Sequence, residues 1–412
     1  MYHPGIRIGR WSPLGNLARH CRRWALMFCL AILGQPFIAH SMTLSVKLEP
    51  VGFADMTGWG DDDHREALVV FVRSCEEISQ AGRGFVRQST LAGDRSDWLD
   101  VCTKAIAMAN GSSTGAARKF FESHFRPFLV NDTERPQGLI TGYFEPEVLG
   151  DLRPHGEFSV PLYAKPQDLI AFGPETEKRL GLRYGRLHRG RPRPYFTRRE
   201  IEEGALAGQG MELVWLKSWA DAFFIQVQGS GRVRLPSGEI LRLAYAAKSG
   251  LPYTSIGAVL ADRGEIDRSE MSMQAIRRWM DEHPEMARAL MWENRSYVFF
   301  EIVSLADPEL GPPGAQRVQL TPLRSLAVDR SIWAYGTPLW IDTELPPIAG
   351  SVHVRRLGIA QDTGSAIKGA ARADLFFGVG SEAAARAGHM KSKGRLFALL
   401  PLAVARRLKL PE

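Results

Sequence analysis

The chain has 412 residues, 45% hydrophobic and 24% charged, which excludes wholesale disorder, a collagen-like fibre and a small disulfide scaffold. At ~150 residues per domain, two domains are expected. The formal charge of +7 would suit nucleic acid or a membrane surface as partner, so where that charge lies decides its meaning.

Most of the excess lies at the N-terminus. Residues 1–23 carry Arg7, Arg10, Arg19, Arg22 and Arg23 and no acid, Trp24 to Gly34 is an unbroken apolar run, and Gln35, Pro36 and Ala39-His40-Ser41 follow. These are the three regions of a secretory signal, predicted over 1–41, and the apolar run is far shorter than the ~20 residues of a spanning helix. Without 1–41 the chain holds 47 Lys and Arg against 45 Asp and Glu, a net charge of +2, and no nucleic-acid partner is expected. Cys29 lacks the small residues that precede an acylated cysteine, so lipidation is not expected and membrane attachment stays open.

Residues 62–124 read as helical, with Asp61, Asp62 and Asp63 placed to cap and charge a helix start. Cys75 and Cys102 each lie in a segment with helical apolar spacing; an oxidising compartment favours a disulfide between them, two buried thiols being the alternative. From Gln137 onward short extended segments are predicted. Leu139 to Phe144 is one, and Phe223–Gln228 with Ile240–Leu243 is read as a hairpin across Pro236-Ser237-Gly238. Thr197 and Glu200 form a capping box, and Ser272 to Trp292 reads as two helices broken near Pro284.

Nine Lys or Arg residues and no acid lie between Lys178 and Arg199, a loop suited to an anionic polymer or simply a solvated connection. Asp307 to Gln316 reads as a linker. Beyond it, strands are predicted at 317–320, 325–328, 338–342, 354–361, 373–377 and 395–400, close enough together to suggest a small closed barrel.

The chain has no Walker A pattern, Gly-x-Ser-x-Gly elbow, His-Glu-x-x-His or paired Cys-x-x-Cys, and its histidines are scattered singly. Gly378-Val379-Gly380 lacks the third glycine of a dinucleotide fingerprint and reads as a turn into a helix capped by Ser381. The densest signal is Asp362-Thr363-Gly364-Ser365-Ala366-Ile367-Lys368-Gly369 with Asp374 five residues on. Asp374 opens an extended apolar segment, where desolvation should raise its pKa and keep a proton available near neutrality. Asp362 ends a strand before a Gly-rich turn, where it could equally serve to bond backbone N–H groups.

The runs GLITGYFEPEV (138–148), FIQVQGSG (224–231), AYAAKSGLPYTSIGAVLADRGEI (244–266), MSMQAIRRWMDEHP (271–284), AVDRSIWAYGTPLW (327–340) and DTGSAIKGAARADLFFG (362–378) resemble, in order, the membrane-bound lytic murein transglycosylase A family. The last run also resembles the three-aspartate domain, whose aspartates match Asp329, Asp362 and Asp374. The resemblance implies a mainly β chain. It would comprise N-terminal helices and the first part of a double-psi β-barrel over 42–146, an inserted β-rich domain over 147–304, and the rest of the barrel over 305–412. It implies cleavage of the β-1,4 bond between N-acetylmuramic acid and N-acetylglucosamine with 1,6-anhydromuramoyl ends, Asp374 as acid/base with Asp362, and Asp329 in support.

Peptidoglycan glycan strands are then the expected partner, with no metal or organic cofactor, and the resemblance implies an exported protein of the periplasm, with room for association with the outer membrane and for a cell-wall synthesis or division complex. Thr141, Tyr143, Gln228, Gly229, Ser230, Gly231 and Tyr245 are candidate substrate-binding residues, against plain β-pair, turn and core roles. The competing readings are a peptidoglycan hydrolase on the same fold and a non-catalytic glycan-binding protein.

Overall fold

The computed structural model describes residues 46–410, apart from 88, 109–110, 134–136, 305–306 and 346–351. The signal predicted over 1–41, with Cys29, lies outside the described residues. A first strand, β1 (Val46–Pro50), precedes three helices, α1 (His64–Gln80), α2 (Ser96–Met108) and α3 (Thr114–His124), and then β2 (Phe125–Asp132) and β3 (Gly138–Glu145).

The middle of the chain holds β4 (Glu147–Asp151), β5 (Val160–Tyr163), β6 (Ile170–Ala171), α4 (Pro174–Leu180), β7 (Tyr184–His188), β8 (Arg191–Arg193) and α5 (Arg198–Glu200). It continues with β9 (Glu212–Leu216), α6 (Trp219–Gln228), β10 (Ser230–Arg234), β11 (Ile240–Lys248), α7 (Ile256–Asp262), α8 (Met273–Glu282), α9 (Pro284–Glu293) and β12 (Val298–Ile302). The C-terminal part holds β13 (Ser325–Val328), β14 (Pro338–Leu345), β15 (Val352–Asp362), β16 (Arg372–Val379), α10 (Gly380–His389), β17 (Lys391–Pro401) and α11 (Leu402–Arg407). Helix is thus about as plentiful as strand, and the strands form two large sheets and a small third one.

The Asp63 side chain accepts from the Arg65 N–H and opens α1, whose Leu68, Phe71, Cys75 and Ile78 fall on one buried face. That face meets α2 and α3, and Phe71 sits edge-on to Phe121 and Phe125. Cys75 and Cys102 are disulfide-bonded across α1 and α2, with Cα atoms 4.9 Å apart. Asp62 points elsewhere: with Glu66 it takes up the buried Arg324 guanidinium, at 2.8 and 2.9 Å, and so ties the helical segment to the start of β13.

Six strands close on themselves in the order β3, β16, β13, β15, β14, β17, with β17 returning to β3; β2 and β1 extend outward from β17. The β13–β15 and β16–β3 pairs are parallel, and the other pairs in the ring are antiparallel. Closure depends on close backbone approach, because Gly138 lies opposite Gly394 and a Cβ at Gly138 would come within 2.6 Å of the Gly394 carbonyl oxygen. The ring encloses Leu326, Val328, Leu339, Ile341, Leu357, Ile359 and Leu375 in a core shared with the N-terminal helices.

Between β3 and β13 the chain builds a second sheet in the order β12, β11, β10, β4, β9, β5, whose edges approach at the Ala164–Phe300 bridge. A small sheet of β6, β7 and β8 carries much of the basic 178–199 segment. Where β3 leads into β4, the buried Glu145 accepts from Arg232 at 3.0 Å and from Arg242 at 3.2 Å, and Arg242 also donates to the Leu310 carbonyl on the return connection. Both crossings between the sheets therefore meet at one charged cluster.

Three local expectations are corrected. Residues 223–228 are helical: Ser218 caps α6 by accepting from the Asp221 N–H, and Gly229 ends it at φ 81°, so the hairpin forms from β10 and β11. No strand forms at 317–320, because Arg317 adopts φ 71° and only the bridge Pro313–Gln319 pairs there. Ser381 does not cap α10, which starts one residue earlier at Gly380, with Gly378 at φ 101° and Gly380 itself at φ 83° turning the chain. The capping box at Thr197 and Glu200 and the break at Pro284 are present.

Candidate active site

Strand β13 brings the two aspartates together. Its Ala327 pairs with Asp374 on β16 on one side and with Asp362 on β15 on the other. The second pairing needs the register shift after Leu326, which skips Gln361 and moves Asp362 opposite Ala327. Both side chains are half-buried.

Asp374 lies opposite Thr141 in the parallel β16–β3 pair, and the Thr141 hydroxyl donates to its Oδ1. Arg372, two residues before Asp374 and therefore on the same face of the strand, donates to Thr141 Oγ1 at 2.7 Å. Burial pushes the Asp374 carboxyl above the ordinary carboxylate range, opposed by the Arg372 charge and the Thr141 hydrogen bond.

Asp362 is held by more donors. Its Oδ1 accepts from the Thr363 and Ala315 N–H groups, both at 2.9 Å, and its Oδ2 from the Tyr143 hydroxyl at 3.0 Å. Burial, with the Asp374 charge adding to it, still pushes its pKa up to about 6. Tyr143 is buried with its ring centroid 5.2 Å from that of Phe376, and burial beside the two carboxylates pushes its phenol well up.

Asp329 behaves differently. Burial opposes its ionisation, but the Ser331 hydroxyl and N–H, the Gly369 N–H and Lys368 together hold its carboxyl below the usual range. Ser331 reaches Oδ1 at 2.7 Å, Gly369 reaches Oδ2 at 3.1 Å and the Lys368 ammonium stands 3.5 Å away. Asp329 thus fastens the turn after β13 to the 362–369 loop, and it is ill suited to release or hold a proton near neutrality.

Of the other candidates, Thr141 and Tyr143 touch the aspartates directly. Gln228 ends α6, and its Oε1 accepts from the Phe144 N–H at 3.1 Å. Gly229 is the left-handed cap of that helix, and Ser230 and Gly231 open β10. A Cβ at Gly231 would meet Ile225 at 3.0 Å, so its close approach is to α6. Tyr245 is 42% exposed on β11 and does not belong to the core.

A cleft of about 340 Å³ between the barrel and the helices of the second sheet is lined by Thr141, Phe144, Gln228, Met273, Ala387 and Lys391. A recess of about 430 Å³ contains neither Asp362 nor Asp374, and the Asp62, Glu66 and Arg324 side chains that line it are engaged in the ion pairs already described.

Sequence reasoning passed over Arg372 and Ala315. The two-residue spacing of Arg372 and Asp374 on a strand is the signal that finds the first; nothing in the linker marks the second. In chemical terms, a carboxyl that burial raises above the ordinary carboxylate range, near a second one titrating at about 6, can donate a proton and then take one back.

A closed strand ring bearing these aspartates, interrupted by a second sheet, defines a three-aspartate domain with an insert. The chain matches the 3D domain over residues 324–400 and the MltA specific insert domain over 139–301. Membrane-bound lytic murein transglycosylase A of Vibrio cholerae is 37% identical over 266 residues, 63% of this chain and 65% of that protein. The match therefore spans a little less than two thirds of that curated relative's length. The membrane-bound lytic murein transglycosylase of Agrobacterium tumefaciens has a TM-score of 0.80 at 33% identity, covering 88% of this chain and 99% of that one. Neisseria gonorrhoeae MltA gives 0.69 at 32% identity, covering 87% and 93%. This chain belongs to the membrane-bound lytic murein transglycosylase A family.

Proposed function

We propose that the protein is a peptidoglycan lytic transglycosylase that cleaves the β-1,4 bond between N-acetylmuramic acid and N-acetylglucosamine and leaves 1,6-anhydromuramoyl ends. The observation that carries this reading is the raised Asp374 carboxyl, whose hydrogen-bond partner among the described residues is Thr141 on one oxygen. Asp374 enters protonated and gives its proton to the departing O4 of N-acetylglucosamine as the bond to C1 of muramic acid breaks. The C6 hydroxyl of the same muramic acid then attacks C1, and the Asp374 carboxylate takes the hydroxyl proton. No water is consumed, and the acid is regenerated.

One carboxyl suffices because the nucleophile is part of the substrate, whereas hydrolysis normally calls on a second carboxylate to activate water. The tethered hydroxyl brings a high effective concentration to the second step. Asp362 and Tyr143 act in support by holding the adjoining loop and the barrel mouth, and Asp329 by fastening the turn. Gln228 and Tyr245 are assigned to glycan binding. Escherichia coli MltA, 29% identical with a TM-score of 0.60, has been solved with bound chitohexaose, which supports a glycan substrate.

We assign the six-strand ring to the double-psi β-barrel, a reading supported by its two parallel pairs and its closure through β3. The same reading places the protein in the periplasm after export. Mass spectrometry of digested murein tests it: anhydro ends are expected, and reducing-end products would make the protein a hydrolase.

A further inference from the structure

We infer that Arg183, Lys248 and the loop carrying Ser365 and Lys368 form an anion-binding rim that takes the carboxylates of the peptides borne by a murein strand; the inference rests on the lyase reading above. Lys248 ends β11 and is half-buried, and its ammonium donates to Ser365 Oγ at 2.9 Å, which joins the second sheet to the turn that follows Asp362. A bulge between Tyr245 and Ala247 pairs Tyr245 with Phe300 and Lys248 with Val298. Because 298 and 300 lie on one face of β12, the exposed Tyr245 ring and Lys248 share a face as well.

Arg183 comes to the same place from the small sheet. Gly250, two residues beyond Lys248, lies so close to Tyr184 that a Cβ there would stand 2.7 Å from the Tyr184 carbonyl oxygen, and the Arg183 guanidinium lies 5.4 Å from the Tyr184 ring centroid. Among the described residues, the contacts of Lys248 and Arg183 are thus a neutral hydroxyl and a neutral ring. Burial, then the nearby charges of Lys368 and Arg183, pull the Lys248 ammonium below its usual range, as expected where cations gather with too few anions. The Asp329 carboxylate stands beside Lys368 and leaves two of the three cations to be balanced. A polymer with carboxylates at intervals supplies the missing charge, and Tyr245 offers a ring for a sugar on the same face.

The test compares soluble peptide-bearing murein strands with the same strands after carbodiimide coupling has capped their peptide carboxylates as methylamides. For the wild type, capping should raise KM about fivefold, the size of a partly exposed charge contact. A folded Lys248→Met/Arg183→Met double variant should show that raised KM on uncapped strands and no further response to capping, while Lys248→Arg retains wild-type behaviour. Equal sensitivity of wild type and double variant to capping, or a double variant matching wild type on uncapped strands, would overturn the rim. If the wild type forms no anhydro product from either strand, the lyase reading fails instead, and sedimentation binding with the same proteins and strands still decides whether the rim takes carboxylates.

Discussion

Thr141 on β3 donates its hydroxyl hydrogen to Oδ1 of Asp374 on β16, across a strand pair formed by segments more than two hundred residues apart. This contact joins the part of the barrel before the insert to the part after it at the residue assigned to proton transfer. It lowers the pKa of a carboxyl that burial raises. Thr141→Val keeps the shape and removes the donor, so the Asp374 pKa should climb further. Since the first step needs the protonated acid, the alkaline limb of the pH–rate profile should move to higher pH, and kcat should fall about tenfold because the carboxyl is less well positioned. An unmoved limb would show that the hydroxyl does not tune Asp374.

Asp362 carries a stability cost that depends on pH. Its folded pKa, about 6, lies above the model-peptide value of 3.8, so the unfolded chain gives up the proton more readily. Its contribution is therefore most favourable below pH 4 and is lost as pH rises from about 4 through about 6. Asp362→Asn keeps acceptors for Thr363 and Ala315 and never ionises. In urea unfolding it should be more stable than wild type by about 1–3 kcal/mol at pH 8, with the difference closing at pH 4.

The disulfide between Cys75 and Cys102 closes a segment of 27 residues. On the chain-entropy account its loss costs about 3–4 kcal/mol. The Cys75→Ser/Cys102→Ser protein should show this loss in denaturant while keeping its glycan-cleaving rate at 25 °C, since neither cysteine touches Asp362, Asp374 or Thr141.

Glu145→Ala would leave Arg232 and Arg242 facing each other in a buried site without their carboxylate. Removing one member of such a buried cluster costs about 3–5 kcal/mol, visible as a clear drop in Tm. Glu145→Gln, which keeps an acceptor oxygen, should lose less.

Much of the local structure was legible because the signals are local. The acidic run before α1, the capping box at Thr197 and Glu200, and Pro284 between α8 and α9 act through neighbouring backbone groups. Residues 223–228 misled because a short apolar run suits a strand or a buried helix equally, and the decisive cues were Ser218 before it and Gly229 after it.

The site was legible as residue types and not as an arrangement. Asp374 announced itself by its apolar neighbours, but its proximity to Asp362 depends on a parallel pairing and a one-residue bulge at Gln361, which no local pattern encodes. Lys248 is unremarkable until the fold sets Ser365 beside it.

The central claim is that Asp374 moves the proton, and the most direct measurement is the rate of anhydromuropeptide release by Asp374→Asn protein whose folding has been verified by circular dichroism and Tm. Loss of at least about a thousandfold, with glycan binding retained, is expected of a group that serves as both acid and base. Release at the wild-type rate by the folded variant would contradict it.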